Sequence, residues 1–173
     1  MRMLVLEPLP DELQALLERR RRTGVDRRDE VWEGVYHMVP SPGAAHSLLV
    51  AQLAVLLAAY TRNSGLHTSV EFNLGVKDDF RIPDLGVHRE RPHGTWIATA
   101  AIAVEILSPE DQTWDKLPFY ARHDVEELLI VDPAHRSVHW LALCGGEYQQ
   151  TGSSEILGLG AAQLAERIDW PRE

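Results

Sequence analysis

Polar and apolar positions along the chain fall into short blocks of changing period, which predict helices alternating with strands. Residues 8–22 place Leu13, Leu16 and Leu17 on one helical face, with Asp11 and Glu12 in the first turn and Arg19 to Arg22 at the end, where cations suit the helix dipole. Gly24 is the expected stop. Residues 30–38 read as one strand broken by Gly34, ahead of the turn Pro40-Ser41-Pro42-Gly43. Residues 44–60 are apolar around most of a helical circumference, so they predict a helix packed between layers and ended by Asn63-Ser64-Gly65. That stretch carries His46, Ser47 and Gln52 and is short for a membrane span.

Residues 66–74 alternate as a strand, 83–88 form another, and 100–107 read as the most buried strand of the chain. A helix follows over 114–123. Pro118 is tolerated only in a first turn, which makes Asp115 the expected N-cap. Residues 127–131 form a buried strand stopped by Asp132-Pro133, and 137–143 with 147–150 form a hairpin through Gly145-Gly146. This succession predicts an α/β fold, a mixed central sheet flanked by helices on both faces. One domain over residues 1–173 is expected: an N-terminal helix and arm over 1–28, a core over 29–143, and a C-terminal hairpin strand and tail over 144–173.

Composition narrows the classes. With 45% hydrophobic and 25% charged residues, the chain is ordinary for a globular protein. Its single cysteine, Cys144, excludes a disulfide framework within the chain and fits a reducing cytoplasm. The first six residues are too short an apolar stretch for a signal peptide, and Glu7 interrupts them. A formal net charge of −9 argues against a tight, non-specific DNA binder, and leaves room for an enzyme that gathers cations on its acids. Cations are fifteen Arg and two Lys, Lys77 and Lys116, each close in sequence to one of the central strands. Lysine, unlike arginine, can lose its proton. The run Arg19 to Arg22 with Arg27 and Arg28 is the one basic concentration; it reads by default as a solvated helix end, with a phosphate-backbone contact as the alternative.

Glu105 stands alone inside Ala101-Ile102-Ala103-Val104-Glu105-Ile106-Leu107. An ionised carboxylate in a buried strand costs several kcal/mol unless something positive meets it: an Arg or Lys partner, a bound proton, or a metal ion. Asp84 heads the second apolar stretch, in Arg81-Ile82-Pro83-Asp84-Leu85-Gly86-Val87. Two carboxylates at neighbouring strands make a shared metal site the most interesting reading, beside the bland ones of a turn cap for Asp84 and an arginine ion pair for Glu105. Glu71 is a further acid before Asp84, with a solvent-facing strand position as its plainer account. His88 and His93 lack zinc-ligand spacing, and no glycine-rich phosphate loop, nucleophile elbow or CxxC motif is present.

Pro83-Asp84 followed by Glu105 resembles the PD-(D/E)xK nuclease superfamily. Three further blocks, Val104-Glu105-Ile106-Leu107-Ser108-Pro109, Lys116-Leu117-Pro118-Phe119-Tyr120-Ala121 and Glu127-Leu128-Leu129-Ile130-Val131-Asp132-Pro133, resemble its Uma-type restriction endonuclease family. The resemblance implies a restriction-endonuclease-like fold and a Mg2+-dependent endonuclease hydrolysing DNA, with Mn2+ as substitute. It implies Asp84, Glu105 and the Ile106 carbonyl as metal ligands. Leu107 occupies the usual lysine place, and Lys116 with Tyr120 matches the family's lysine on the next helix. Lys116 is thus the candidate amine, and His46 and Tyr120 are candidate substrate contacts. Glu33 is a candidate accessory acid with Glu71, and Glu30 is expected to be structural. A nuclease-fold binding protein without turnover, or a structural homodimer using residues 137–150, stay open beside the enzyme.

Overall fold

The computed structural model describes residues 2–4, 10–109 and 112–171. In chain order the elements are β1 (Arg2–Leu4), α1 (Asp11–Thr23), β2 (Glu30–Trp32), β3 (Val35–His37), α2 (Ala44–Thr61), β4 (His67–Val70), β5 (Asn73–Val76), β6 (Asp79–Arg81) and β7 (Leu85–His88). They continue with β8 (Trp96–Ile97), β9 (Ile102–Ile106), α3 (Thr113–Arg122), β10 (Glu127–Asp132), β11 (Ser137–Cys144), β12 (Glu147–Thr151), β13 (Ser153–Ser154), β14 (Leu159–Gly160) and α4 (Ala161–Ala165).

The central sheet runs β12-β11-β10-β9-β7-β4. It is mixed: β9 and β10 are parallel, joined through α3, and the other neighbours are antiparallel. Side chains of a strand point alternately to the two faces. Along β9, Ile102, Val104 and Ile106 enter one layer, where Leu49, Leu53 and Leu57 of α2 and Leu164 of α4 cover them. Ala103 enters the opposite layer, with Phe119 and Tyr120 of α3 and Leu74 of β5. Glu105 shares that second face by parity, which delivers it to α3. Helices therefore flank the sheet on both faces, as expected.

A second sheet, β1-β3-β2-β6-β5-β8, was not foreseen as separate. Residues 30–38 form two strands, because Glu33 (φ 50°) and Gly34 (φ 82°) both adopt the left-handed conformation that closes a two-residue hairpin. Residues 66–74 also divide. Glu71 (φ 42°) turns the chain out of the central sheet after β4, and β5 joins the second sheet. The short strands β6 and β8 carry no period long enough to mark them in the sequence.

Three further expectations are corrected. Helix α1 begins at Asp11; Pro8 and Leu9 lie outside the described residues. Helix α2 does not pack between layers: Leu49, Leu53 and Leu57 are buried, whereas Val55 on the outer face is 73% exposed. Helix α3 starts at Thr113 with Gln112 as N-cap, so Pro118 sits inside the helix. The carbonyl deprived of its partner belongs to the exposed Trp114, where water can reach it. The segment after β12 is also more than a tail. Buried Glu127 accepts hydrogen bonds from Ser154 Oγ (2.5 Å) and from the Glu155 (2.7 Å) and Ile156 (3.2 Å) amides, and Leu159, Leu164 and Ile168 join the core.

Candidate active site

Parallel strand pairing sends the main chain of odd residues in β9 toward β10, leaving Ile106 facing the β7 side. Strand β7 begins only at Leu85, so the Ile106 amide finds no backbone acceptor there. Asp84 supplies one: its Oδ2 accepts from Ile106 N at 2.9 Å. The other oxygen, Oδ1, accepts from Arg28 Nη2 at 3.0 Å and meets His46 Nε2 at 2.8 Å. Burial pushes the Asp84 carboxyl up, but His46, the Ile106 amide and Arg28 together hold it below its usual value. It is a permanently ionised carboxylate at neutral pH.

Glu105 sits one pleat away under different forces. Its Oε1 accepts from Lys116 Nζ at 3.0 Å and from the Tyr120 hydroxyl. Burial, with the neighbouring charges of Asp84 and Glu30, outweighs Lys116 and raises the carboxyl to about 7. Lys116 and Tyr120 lie at i and i+4 on α3, so one helix face supplies both donors. Lys116 Nζ also donates to Glu30 Oε1 at 3.0 Å. Although burial disfavours its charge, Glu105 and Glu30 raise its pKa above the usual lysine value. The two acids thus favour the ammonium form of Lys116.

Glu30, expected to be structural, also lines this cleft. Its Oε1 also accepts from the Ile82 amide (2.8 Å), and its Oε2 from Trp32 Nε1 (2.7 Å). Behind it, Arg81 is stacked between Trp32 and Phe119, with ring centroids 4.4 and 4.1 Å away. The acids open into a cleft of about 500 Å³, lined among others by Arg28, Glu30, His46, Asp84, Glu105 and Lys116. Its outer wall is the segment from His37 to Gly43.

The structure thus brings Asp84, Glu105, Ile106, Lys116 and His46 to one cleft. Tyr120, expected to touch substrate, is fully buried and reaches only Glu105 among the candidate acids. Glu71 pairs with Arg28 (3.0 Å) beside the cleft. Glu33 lies outside it, on the exposed β2–β3 turn, where it meets Arg122 at 3.1 Å. Lys77 occupies the exposed β5–β6 turn. Arg28 and Glu30 were missed as site residues. Nothing distinguishes Arg28 within six nearby arginines, but Glu30, an acid opening a strand that continues Val31-Trp32, carried the same signal as Glu105.

No group of three or more His, Cys, Asp or Glu side chains in metal-binding proximity occurs among the described residues. Mg2+ does not require one: it is commonly held by one or two carboxylates, keeping waters and substrate oxygens as its remaining ligands. Asp84 and Glu105 are hard oxygen donors, and Glu105 is raised by burial first, with the negative charges of Asp84 and Glu30 adding to it. The donor set fits such a cation.

The family model described as "Putative restriction endonuclease", Uma2, matches residues 10–163. The chain belongs to the Uma2 family. A crystal structure of a "putative nuclease belonging to DUF820" from Anabaena variabilis ATCC 29413 superposes with a TM-score of 0.66 at 16% identity, covering 80% of this chain and 90% of that one. No curated protein matches the chain in sequence. The Uma2 chain accordingly has a nuclease-like fold, and its cleft lies where β7 begins and β9 ends.

Proposed function

We propose that this Uma2 protein is a Mg2+-dependent endonuclease that hydrolyses DNA phosphodiester bonds in the cytoplasm. The observation carrying the reading is the buried assembly of Asp84 and Glu105 around Ile106, with Lys116 in the same cleft. Asp84, Glu105 and the Ile106 carbonyl would hold the cation. When bound, it supplies a water of lowered pKa and neutralises charge on the scissile phosphate.

The remaining work belongs to the chain. Hydrolysis forms a new oxygen–phosphorus bond as one ester bond breaks, the leaving oxygen takes up a proton, and negative charge builds on the phosphoryl oxygens. Lys116 has three N–H donors and spends two on Glu30 and Glu105, leaving the third for a phosphoryl oxygen or the attacking water. Arg28 and His46 line the same cleft and can approach an adjacent phosphate. Tyr120 fixes the Glu105 rotamer from behind. The working form is proposed to be a homodimer, which would present two such centres to one duplex.

The test is Mn2+- or Mg2+-dependent nicking of plasmid and branched DNA, with Asp84→Ala purified identically as the blank. Wild-type nicking well above that blank is expected; equality on these substrates would remove the hydrolase reading.

A further inference from the structure

The cleft sets Glu30, Asp84 and Glu105 against Lys116 and Arg28, so it carries no net positive charge with which to draw in a polyanion from a distance. Cations are concentrated beside it. Residues 19–28 hold six arginines against one aspartate, a local balance of +5 in a chain of formal net charge −9. Helix-dipole complementarity accounts for cations in a last turn, but not for four in succession, since like charges three residues apart, as at Arg19 and Arg22, repel on a helix. Glu18 offsets part of this at three and four residues before Arg21 and Arg22, while Arg19 keeps only like charges after it on the helix.

The helix end is also fixed in place. Asp29, buried at 4% exposure, accepts from Arg20 Nε (2.8 Å), the Tyr36 hydroxyl (2.7 Å) and the Val39 amide (2.9 Å). Val39 belongs to the cleft wall, and Arg28, next to Asp29, lines the cleft. Arg20 is thus the tether that binds α1 to the cleft rim, while Arg19, Arg21, Arg22 and Arg27 remain exposed. Gly24 (φ 69°) turns the chain between Arg22 and Arg27, within the same short segment that ends at Arg28.

We propose that Arg19, Arg21, Arg22 and Arg27 form a rail that grips the sugar-phosphate backbone of DNA and seats it across the cleft mouth. The proposal rests on the hydrolase reading for the identity of the polyanion. Guanidinium groups pair with phosphates bidentately, and each phosphate neutralised releases counterions, so the rail has a salt signature.

Fluorescence anisotropy of a labelled duplex, titrated with the full chain in Ca2+ at several NaCl concentrations, reads that signature. Replacing Arg19, Arg21 and Arg22 together by Gln should weaken binding at least ten-fold near 100 mM salt and flatten the log Kd–log salt slope by about 0.9 for each phosphate no longer neutralised. The same three positions as Lys should retain most of the slope, and an unchanged melting temperature of the exposed-site variants excludes misfolding. A Gln variant with wild-type Kd and slope overturns the rail. So does arginine-dependent binding to vesicles of phosphatidylcholine and phosphatidylserine with none to DNA, which would make the segment a membrane-surface patch. Arginine-dependent DNA binding by a wild type that never nicks leaves the rail standing and removes the hydrolase; nicking with KM unaffected by the Gln variant does the reverse.

Discussion

Lys116 Nζ lies 3.0 Å from Glu105 Oε1 and an equal 3.0 Å from Glu30 Oε1, so one ammonium bridges acids from two different sheets. The bridge is largely buried, with side-chain exposures of 12% for Lys116, 6% for Glu105 and 3% for Glu30. Removing the shared cation strands two carboxylates. Lys116→Met should therefore destabilise the fold by about 3–5 kcal/mol in urea unfolding. Adding Glu105→Gln to that variant should recover part of the loss, a non-additivity that separate, uncoupled pairs would not show.

Turnover should respond to Lys116 as to a charge, never as to a base. Lys116→Ala is expected to lower kcat about 10²–10³-fold, as removal of one preorganised donor does. The wild-type pH–rate profile should contain no ionisation assignable to a neutral lysine between pH 6 and 9. Lys116→Arg should keep more activity than Lys116→Ala, limited by the fit of a planar guanidinium in a buried slot.

Stability should fall with rising pH because of Glu105. Its carboxyl is raised from 4.5 to about 7 in the fold, so between those values the folded chain holds a proton that the unfolded chain has lost. The contribution is fully present below pH 4.5 and is lost as pH rises through 7, at no more than about 1.4 kcal/mol per unit. Glu105→Gln should flatten thermal or urea stability over this window. An identical pH slope in the variant would contradict the assigned shift.

Divalent cations should raise the melting temperature, more at pH 8 than at pH 6, since the cation and the Glu105 proton compete. Glu105→Gln and Asp84→Asn should each remove most of the response. A metal response unchanged in both variants would place the cation elsewhere.

Arg28 is expected to split metal affinity from substrate affinity. It donates to the Asp84 oxygen that also meets His46, and thus competes with a cation for that carboxylate. Arg28→Gln should tighten Mn2+ binding several-fold in calorimetry while raising KM for DNA. A change of both in the same direction would show that Arg28 serves only to hold Asp84.

Much of the central sheet was legible because its strands obey simple periods. A lone glutamate in an aliphatic strand announced itself, and Glu105 has a lysine partner, Lys116, with its carboxyl raised to about 7. The second sheet was illegible for a local reason: Glu33 and Glu71 take left-handed backbone conformations that glutamate rarely adopts, so no composition rule marks those turns. Glu30 was undervalued because its partner, Lys116, stands 86 residues away, and only the folded chain brings them together. The tether of the last segment to Glu127 was hidden likewise, since Ser154 and two amides supply its partners without any distinctive residue type.

Strand β9 delivers Glu105 to α3 by parity alone, and this constrains how the gene can change length. An insertion or deletion of one residue between 98 and 104 that preserved the β7 and β10 pairing upstream would rotate Glu105 into the aliphatic layer under α2 and present an isoleucine or valine to Lys116. A two-residue change would restore the face while displacing the acid by one pleat from Asp84. Length variation in this protein is therefore expected in exposed turns such as Gly145-Gly146, where no side chain beyond the loop depends on the count.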